Sequence, residues 1–166
     1  MPYSLEVHDL KPPFKNADIL SIYSINQSNR PEVGNLESPE KLINLLNMSS
    51  QIQVAKTNNE IIGFVVCLEA GAGYTSLNYK YISKIAEKFI YIDRIAIRDQ
   101  YRRSGIGRSL YESIFKYSEN FKLPVYCEVN TKPLNQPSIN FHKKNGFYEI
   151  GNKDFIDHSV AYFVKP

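Results

Sequence analysis

The stretch Ile92-Asp93-Arg94-Ile95-Ala96-Ile97-Arg98-Asp99-Gln100-Tyr101-Arg102-Arg103-Ser104-Gly105-Ile106-Gly107-Arg108-Ser109-Leu110 reads as a strand, a basic turn and the start of a helix. Ile95 and Ile97 alternate with Arg94 and Ala96 in a run rich in β-branched residues, which is a strand pattern. Gly105 and Gly107 let backbone pass close to another group with no β-carbon in the way. Leu110, Ile114, Tyr117 and Phe121 follow at spacings of four, three and four, the buried face of a helix on a sheet. A helix N-terminus has N–H groups without partners inside the helix, and its dipole favours negative charge. Arg102, Arg103 and Arg108 add fixed positive charge there, so the turn has the makings of a phosphate cradle.

The turn is not a Walker loop, because no Gly-Lys-Ser/Thr follows, and it lacks the third glycine of a dinucleotide fingerprint. Arg102-x-x-Gly105-x-Gly107, directly after Ile95-Ala96-Ile97, resembles the pyrophosphate loop of the GCN5-related N-acetyltransferases. A second block, Asn135-Gln136-Pro137-Ser138-Ile139-Asn140-Phe141-His142-Lys143-Lys144-Asn145-Gly146-Phe147, is similar to a downstream segment of the same family. The resemblance implies acetyl-coenzyme A as acetyl donor. It implies that the loop Arg102, Arg103, Ser104, Gly105, Ile106 and Gly107 holds the pyrophosphate. The backbone of Ile95, Ala96 and Ile97 would then pair with the pantetheine arm, and Asn135 would contact the coenzyme.

Acetyl transfer to an amine needs a route for the amine proton, stabilisation of the carbonyl oxygen and a way for the thiolate to leave. Glu128 lies mid-strand in the apolar segment Pro124–Asn130, and by resemblance to the ribosomal-protein alanine acetyltransferases it is the first candidate for the base. Asp93, just before the loop and reckoned to share a face with Tyr91 and Ile95, is the competitor. His142 stands where the family usually carries the tyrosine that protonates the thiolate. Imidazole titrates nearer neutrality than phenol, so a protonated His142 would serve as donor, and otherwise Tyr111 or a tyrosine of residues 71–81 would. His8 and His158 read as surface residues.

With 166 residues and 43% apolar content, the chain is read as one acyl-CoA N-acyltransferase domain spanning 1–166. A net charge of +3 with no long basic run argues against nucleic acid as partner. Met1-Pro2-Tyr3-Ser4-Leu5-Glu6 lacks the basic start and apolar run of a signal peptide, and the longest apolar run, Ile61–Leu68, is too short to span a membrane. Cys67 and Cys127 sit in apolar strand patterns and read as buried free thiols, with no metal site. A cytoplasmic location is the expectation, and a homodimer stays open.

In chain order, Tyr3–Val7 reads as a first strand, Ala17, Leu20, Tyr23 and Ser24 as a helical stripe, and Ser38-Pro39-Glu40 as a capped helix start with Leu42, Leu45 and Leu46 buried. Ile52–Lys56, Asn58-Asn59 and Glu60–Leu68 read as a hairpin. The insertion Gly71–Tyr81 is too long for a turn and too aromatic for a solvated loop. Tyr74, Tyr79 and Tyr81 are expected to wall the acceptor side, with a short helix marked by Ile82, Ile85 and Phe89. Tyr74-x-Ser76-x-Asn78-Tyr79 resembles a branch of the family that implies no particular acceptor. The expected fold is mixed α/β (α+β): a splayed, mostly antiparallel sheet with helices on both faces. The expected activity is acetyl transfer to a primary amine, on a small molecule or peptide, by direct attack in a ternary complex. The rivals are an acyl-CoA-binding regulatory module that does not catalyse, suggested by the missing tyrosine, and a nucleic-acid-binding domain using Arg94, Arg98, Arg102, Arg103 and Arg108.

Overall fold

The computed structural model describes residues 4–166, so Tyr3 of the expected first strand lies outside the described residues. The strands are β1 (Glu6–Asp9), β2 (Gln51–Thr57), β3 (Glu60–Glu69), β4 (Ile90–Ile97), β5 (Val125–Lys132), β6 (Tyr148–Asp154) and β7 (Ser159–Lys165). The helices are α1 (Asn16–Ser28), α2 (Pro39–Met48), α3 (Leu77–Ile85), α4 (Ile106–Phe121) and α5 (Gln136–Lys144). Among the described residues the strands form one sheet in the order β1-β2-β3-β4-β5-β7-β6. Asn58 and Asn59 both have positive φ, 51° and 61°, which supplies the twist that a two-residue hairpin between β2 and β3 requires.

Every neighbouring pair is antiparallel except β4 and β5, which run parallel and meet at Ile90–Val125 and Tyr91–Tyr126. Beyond those two pairs the strands diverge. A wedge therefore opens between Ile92–Ile97 of β4 and Cys127–Asn130 of β5, and polar groups can reach into the sheet from either side.

A bulge in β4 shapes one wall of the wedge. Val66 pairs with Arg94 and Cys67 with Ile92, leaving Asp93 as the extra residue. A bulge re-aims the side chains that follow it. Asp93 and Arg94 consequently bond to each other, Tyr91 and Ala96 join the core beneath α1 and α2, and Ile95 packs against the core beneath α4. Simple alternation would put Ile95 on the face of Tyr91 and Asp93; the bulge moves it to the other.

The helices cover both faces. Ser38 caps α2 by accepting from the Lys41 amide at 3.3 Å, Pro39 opens the helix, and Leu42, Leu45 and Leu46 are buried. On α1 the expected stripe is on the wrong side: Ile19, Ile22, Ile25 and Asn26 are buried, while Leu20 is exposed. The polar end of α1 hid this, because buried Asn26 holds Gly34 of the following loop through its side-chain amide at 3.1 Å. On α4, Leu110 and Ile114 are buried as expected, but Phe121 is exposed and Tyr111 takes its place in the core. Cys67 and Cys127 are buried free thiols.

Candidate functional site

Two cavities meet at the wedge. A groove of about 290 Å³ runs along Ile95, Ala96 and Ile97 past Arg102 and Gly107, with Pro137 and Phe141 of α5 opposite. Gly105 takes φ +81° where the turn enters α4, a conformation that favours glycine. Gly107 has another reason: a Cβ there would meet nothing within 4 Å, so the fold does not require glycine and the space beside it is open for a ligand. The first turn of α4 presents amides with no partner inside the helix, beside Arg102 and Arg103 on the exposed turn. These features fit a pyrophosphate and an extended arm.

The structure divides the expected coenzyme contacts. Ile106 is buried in the core, so only its backbone faces the turn. The Ser104 hydroxyl bonds the Tyr101 carbonyl. Arg102 reaches back to Asn29, whose amide also donates to the Ile97 carbonyl at 3.1 Å, bracing turn and strand. Asn135 caps α5 by accepting from the Ser138 amide at 3.3 Å and lines the larger cavity rather than the groove, because its side chain is committed to the helix start.

The larger cavity, about 630 Å³, brings Glu128 and His142 together with Asp93 and Tyr74. Glu128 projects from β5 and is bonded from two sides. The Tyr91 hydroxyl lies 2.8 Å from Oε1 and 2.7 Å from Oε2, and the Asn78 side-chain amide donates to Oε1 at 3.2 Å. Burial pushes the carboxyl up to about 8, with the nearby Asp93 charge adding to the rise and the two hydrogen bonds opposing it. Asp93 is differently placed: it accepts from Tyr74 at 2.8 Å and from Arg94 Nε at 2.7 Å, in an ion pair whose side chains are 5% and 7% exposed. Arg94 also donates to Asn26 and the Gly34 carbonyl, so it is an internal brace and cannot belong to a surface stripe for nucleic acid.

His142 is buried, with Nδ1 2.7 Å from the Ser138 carbonyl and Nε2 2.8 Å from the Tyr111 hydroxyl. A carbonyl only accepts, so Nδ1 carries the ring proton and Nε2 accepts from Tyr111. Burial pulls the imidazole below its ordinary pKa, against the Ser138 bond. The neutral ring therefore has no proton on the nitrogen facing Tyr111, contrary to the expected donor role. Ile95, Tyr111, Ser138 and His142 line both cavities and mark where they join.

The insertion reaches the cavity through Tyr74, Ser76 and Asn78. Two of its expected wall tyrosines do something else. Tyr79 is buried, donates to the Glu69 carbonyl at 2.7 Å and accepts from the Ala72 amide at 3.0 Å. Tyr81 stacks flat on Tyr162 of β7, with ring centroids 3.9 Å apart. Helical spacing places the insertion's aromatic side chains inward, leaving the shorter residues to face the cavity. Sequence reasoning missed Asn78 and Tyr91, which contact Glu128 only through chain reversals of 50 and 37 residues. It also misplaced His158, which stacks on Phe155 and lines the cavity mouth with Asp157.

Among known proteins, the model of the Acetyltransferase (GNAT) family matches residues 19–147. An N-alpha-acetyltransferase of Sulfurisphaera tokodaii is 33% identical over 100 residues, 58% of this chain and 56% of that protein. The chain thus matches little more than half the length of that relative. Solved structures share the fold at low identity. The ribosomal-protein-S18-alanine N-acetyltransferase from Escherichia coli aligns with TM-score 0.73 and 16% identity, over 98% of this chain and 94% of that one. Arabidopsis thaliana NAA60, solved with a bisubstrate analogue, aligns with TM-score 0.74 and 20% identity, over 97% of each chain. Splayed sheet, glycine turn and family match converge: this chain belongs to the GNAT acetyltransferase family.

Proposed function

We propose that the protein is an N-acetyltransferase that moves an acetyl group from acetyl-coenzyme A to a primary amine by direct attack, and that the preferred amine is the α-amine of a peptide or protein N-terminus. The observation that carries the reading is the junction of the groove with a cavity containing Glu128. A coenzyme-binding module that had lost catalysis would have no use for a poised carboxylate at that point.

Acetyl-coenzyme A, when bound, supplies the acetyl thioester; Gly105, Gly107 and the first turn of α4 would hold its pyrophosphate. Glu128 takes the proton of the incoming ammonium. Its pKa of about 8 matches that of an α-amino group, near 8, so the transfer is close to thermoneutral, whereas a lysine ammonium near 10.4 is disfavoured. The freed nitrogen pair forms the N–C bond, the C–S bond breaks with its electrons on sulfur, and the proton gained by the carboxylate balances that finally taken up by the thiol. Tyr111 turns its hydroxyl from His142 toward the departing sulfur at the junction and donates a hydrogen bond. His142 is the positioning residue that presents it. The Sulfurisphaera tokodaii relative, an N-alpha-acetyltransferase by name, supports the choice of acceptor.

The test is release of free thiol from acetyl-coenzyme A with three acceptor sets: peptides with free N-termini, the same peptides N-terminally blocked but carrying lysine, and small amines. Thiol release with the first set and loss on blocking is the expected result. Saturable binding of acetyl-coenzyme A with no transfer to any amine would overturn the reading in favour of a binding module.

A further inference from the structure

The insertion between β3 and β4 has more anchors than a surface loop needs. Tyr79 is tied to the Glu69 carbonyl, Ile82 is fully buried, and Tyr81 stacks on Tyr162. Gly151 of β6 makes room for this docking, since a Cβ there would lie 2.5 Å from the Tyr81 hydroxyl oxygen. These contacts fix α3 against the far side of the wedge without any help from Asn78. Yet Asn78, in the first turn of α3, is spent on the cavity: its carbonyl oxygen accepts from the Tyr162 hydroxyl at 2.7 Å, and its amide donates to Glu128 Oε1 at 3.2 Å.

The orientation of that amide is determined. A tyrosine hydroxyl that donates to Oδ1 leaves Nδ2 facing the carboxylate, so the chain Tyr162–Asn78–Glu128 points one way. Oε1 then has two donors, Tyr91 and Asn78, whereas Oε2 has Tyr91. We infer that Asn78 is a positioning residue for Glu128: it pins Oε1 and leaves Oε2 as the oxygen that receives the amine proton, making the insertion helix a working part of the acceptor site. This rests on the reading of Glu128 as the base.

Several other groups face the same carboxylate or the cavity around it. Tyr91 and Asp93 approach from β4, Tyr162 from β7 and Tyr111 from α4. Arg30, Glu32, Asp157 and His158 stand elsewhere along the cavity wall. Of these, Asp93 opposes ionisation of Glu128, and Tyr91 supports it by hydrogen bonding. Asn78 supplies a second supporting bond that carries no charge, which no titration of its own can switch off.

The test reads the carboxyl directly, by carbon NMR titration of Glu128 in the full chain, with Asn78→Leu and Tyr162→Phe as variants and Glu128→Gln to assign the signal. The account predicts that Asn78→Leu raises the midpoint by about half to one pH unit, the worth of one hydrogen bond to a charged form. Tyr162→Phe removes a single oxygen, keeps the stack on Tyr81, and shifts the midpoint the same way by less. Neutral-pH turnover of Asn78→Leu falls and recovers as pH rises. An unchanged midpoint in both variants, with turnover lowered equally at every pH, would reduce Asn78 to a packing residue and overturn the inference. A wild type that binds acetyl-coenzyme A but acetylates nothing would fail the functional reading instead, and the titration result would stand apart from it.

Discussion

The Tyr111 hydroxyl lies 2.8 Å from Nε2 of His142, in the wall that two cavities share. The pair splits a task that the sequence assigns to one residue: the side chain at the end of α5 holds, and the side chain on α4 donates. Tyr111→Phe removes the donor while keeping the ring, and should lower kcat by about 10 to 100-fold with little change in KM for acetyl-coenzyme A. His142→Gln retains an acceptor for the hydroxyl and should cost less. Nitrogen NMR should show a neutral imidazole with its proton on Nδ1 throughout the neutral range. A His142 that titrates near 7 in step with kcat would return the donor role to the histidine.

Gly107 separates the needs of the fold from those of the ligand. It lies inside α4 with open space beside it, so Gly107→Ala strains nothing and should leave stability unchanged or raised by up to about 1 kcal/mol. The same methyl would stand where the coenzyme approaches. Calorimetric titration should show acetyl-coenzyme A bound about tenfold more weakly, some 1.4 kcal/mol. Undiminished affinity would mean that the coenzyme does not pass Gly107.

Glu128 should cost the fold stability. Its folded pKa of about 8 lies above its ordinary value of 4.5, so between those two values the folded chain holds more protons than the unfolded one. Stability therefore falls as pH rises through that window, and the penalty is complete above the folded pKa. Glu128→Gln should be neutral near pH 4 and stabilising by a few kcal/mol near pH 8, on the order of 2 to 4 given the partial access of water. Urea unfolding at the two pH values measures the difference. Equal stability of the two proteins at pH 8 would show that the carboxyl is not desolvated.

Much of the architecture was legible because it is written in local patterns. Ser38-Pro39 announces a helix, Asn58-Asn59 a hairpin, and the glycine turn with its helix announces an anion site. What stayed hidden depends on chain segments far apart. The Asp93 bulge can be seen only once Val66 and Cys67 lie alongside, and it alone decides that Asp93 pairs with Arg94 while Ile95 faces the other way. The aromatic insertion read as a wall of tyrosines, but two of them are anchors, and the cavity receives Asn78 instead. His142 was found by its position in a block; its protonation could not be, because that is set by Ser138 and Tyr111. Hydrophobic periodicity locates elements and the faces they bury, whereas the bonding of a polar side chain is decided by what the fold brings opposite it.

The central claim is that Glu128 is the base, and the most direct test is the pH dependence of kcat/KM for wild type and Glu128→Gln. An acceptor amine whose own pKa lies well below neutrality should be used, so that the acceptor's ionisation does not shape the curve. The account predicts a wild-type rate that rises with pH through a midpoint near 8 and levels above it, the ionisation of Glu128. Glu128→Gln should lie about 100 to 10,000-fold lower and lack that rise, while still binding acetyl-coenzyme A. A variant that keeps both the rate and the midpoint of the wild type would contradict the account.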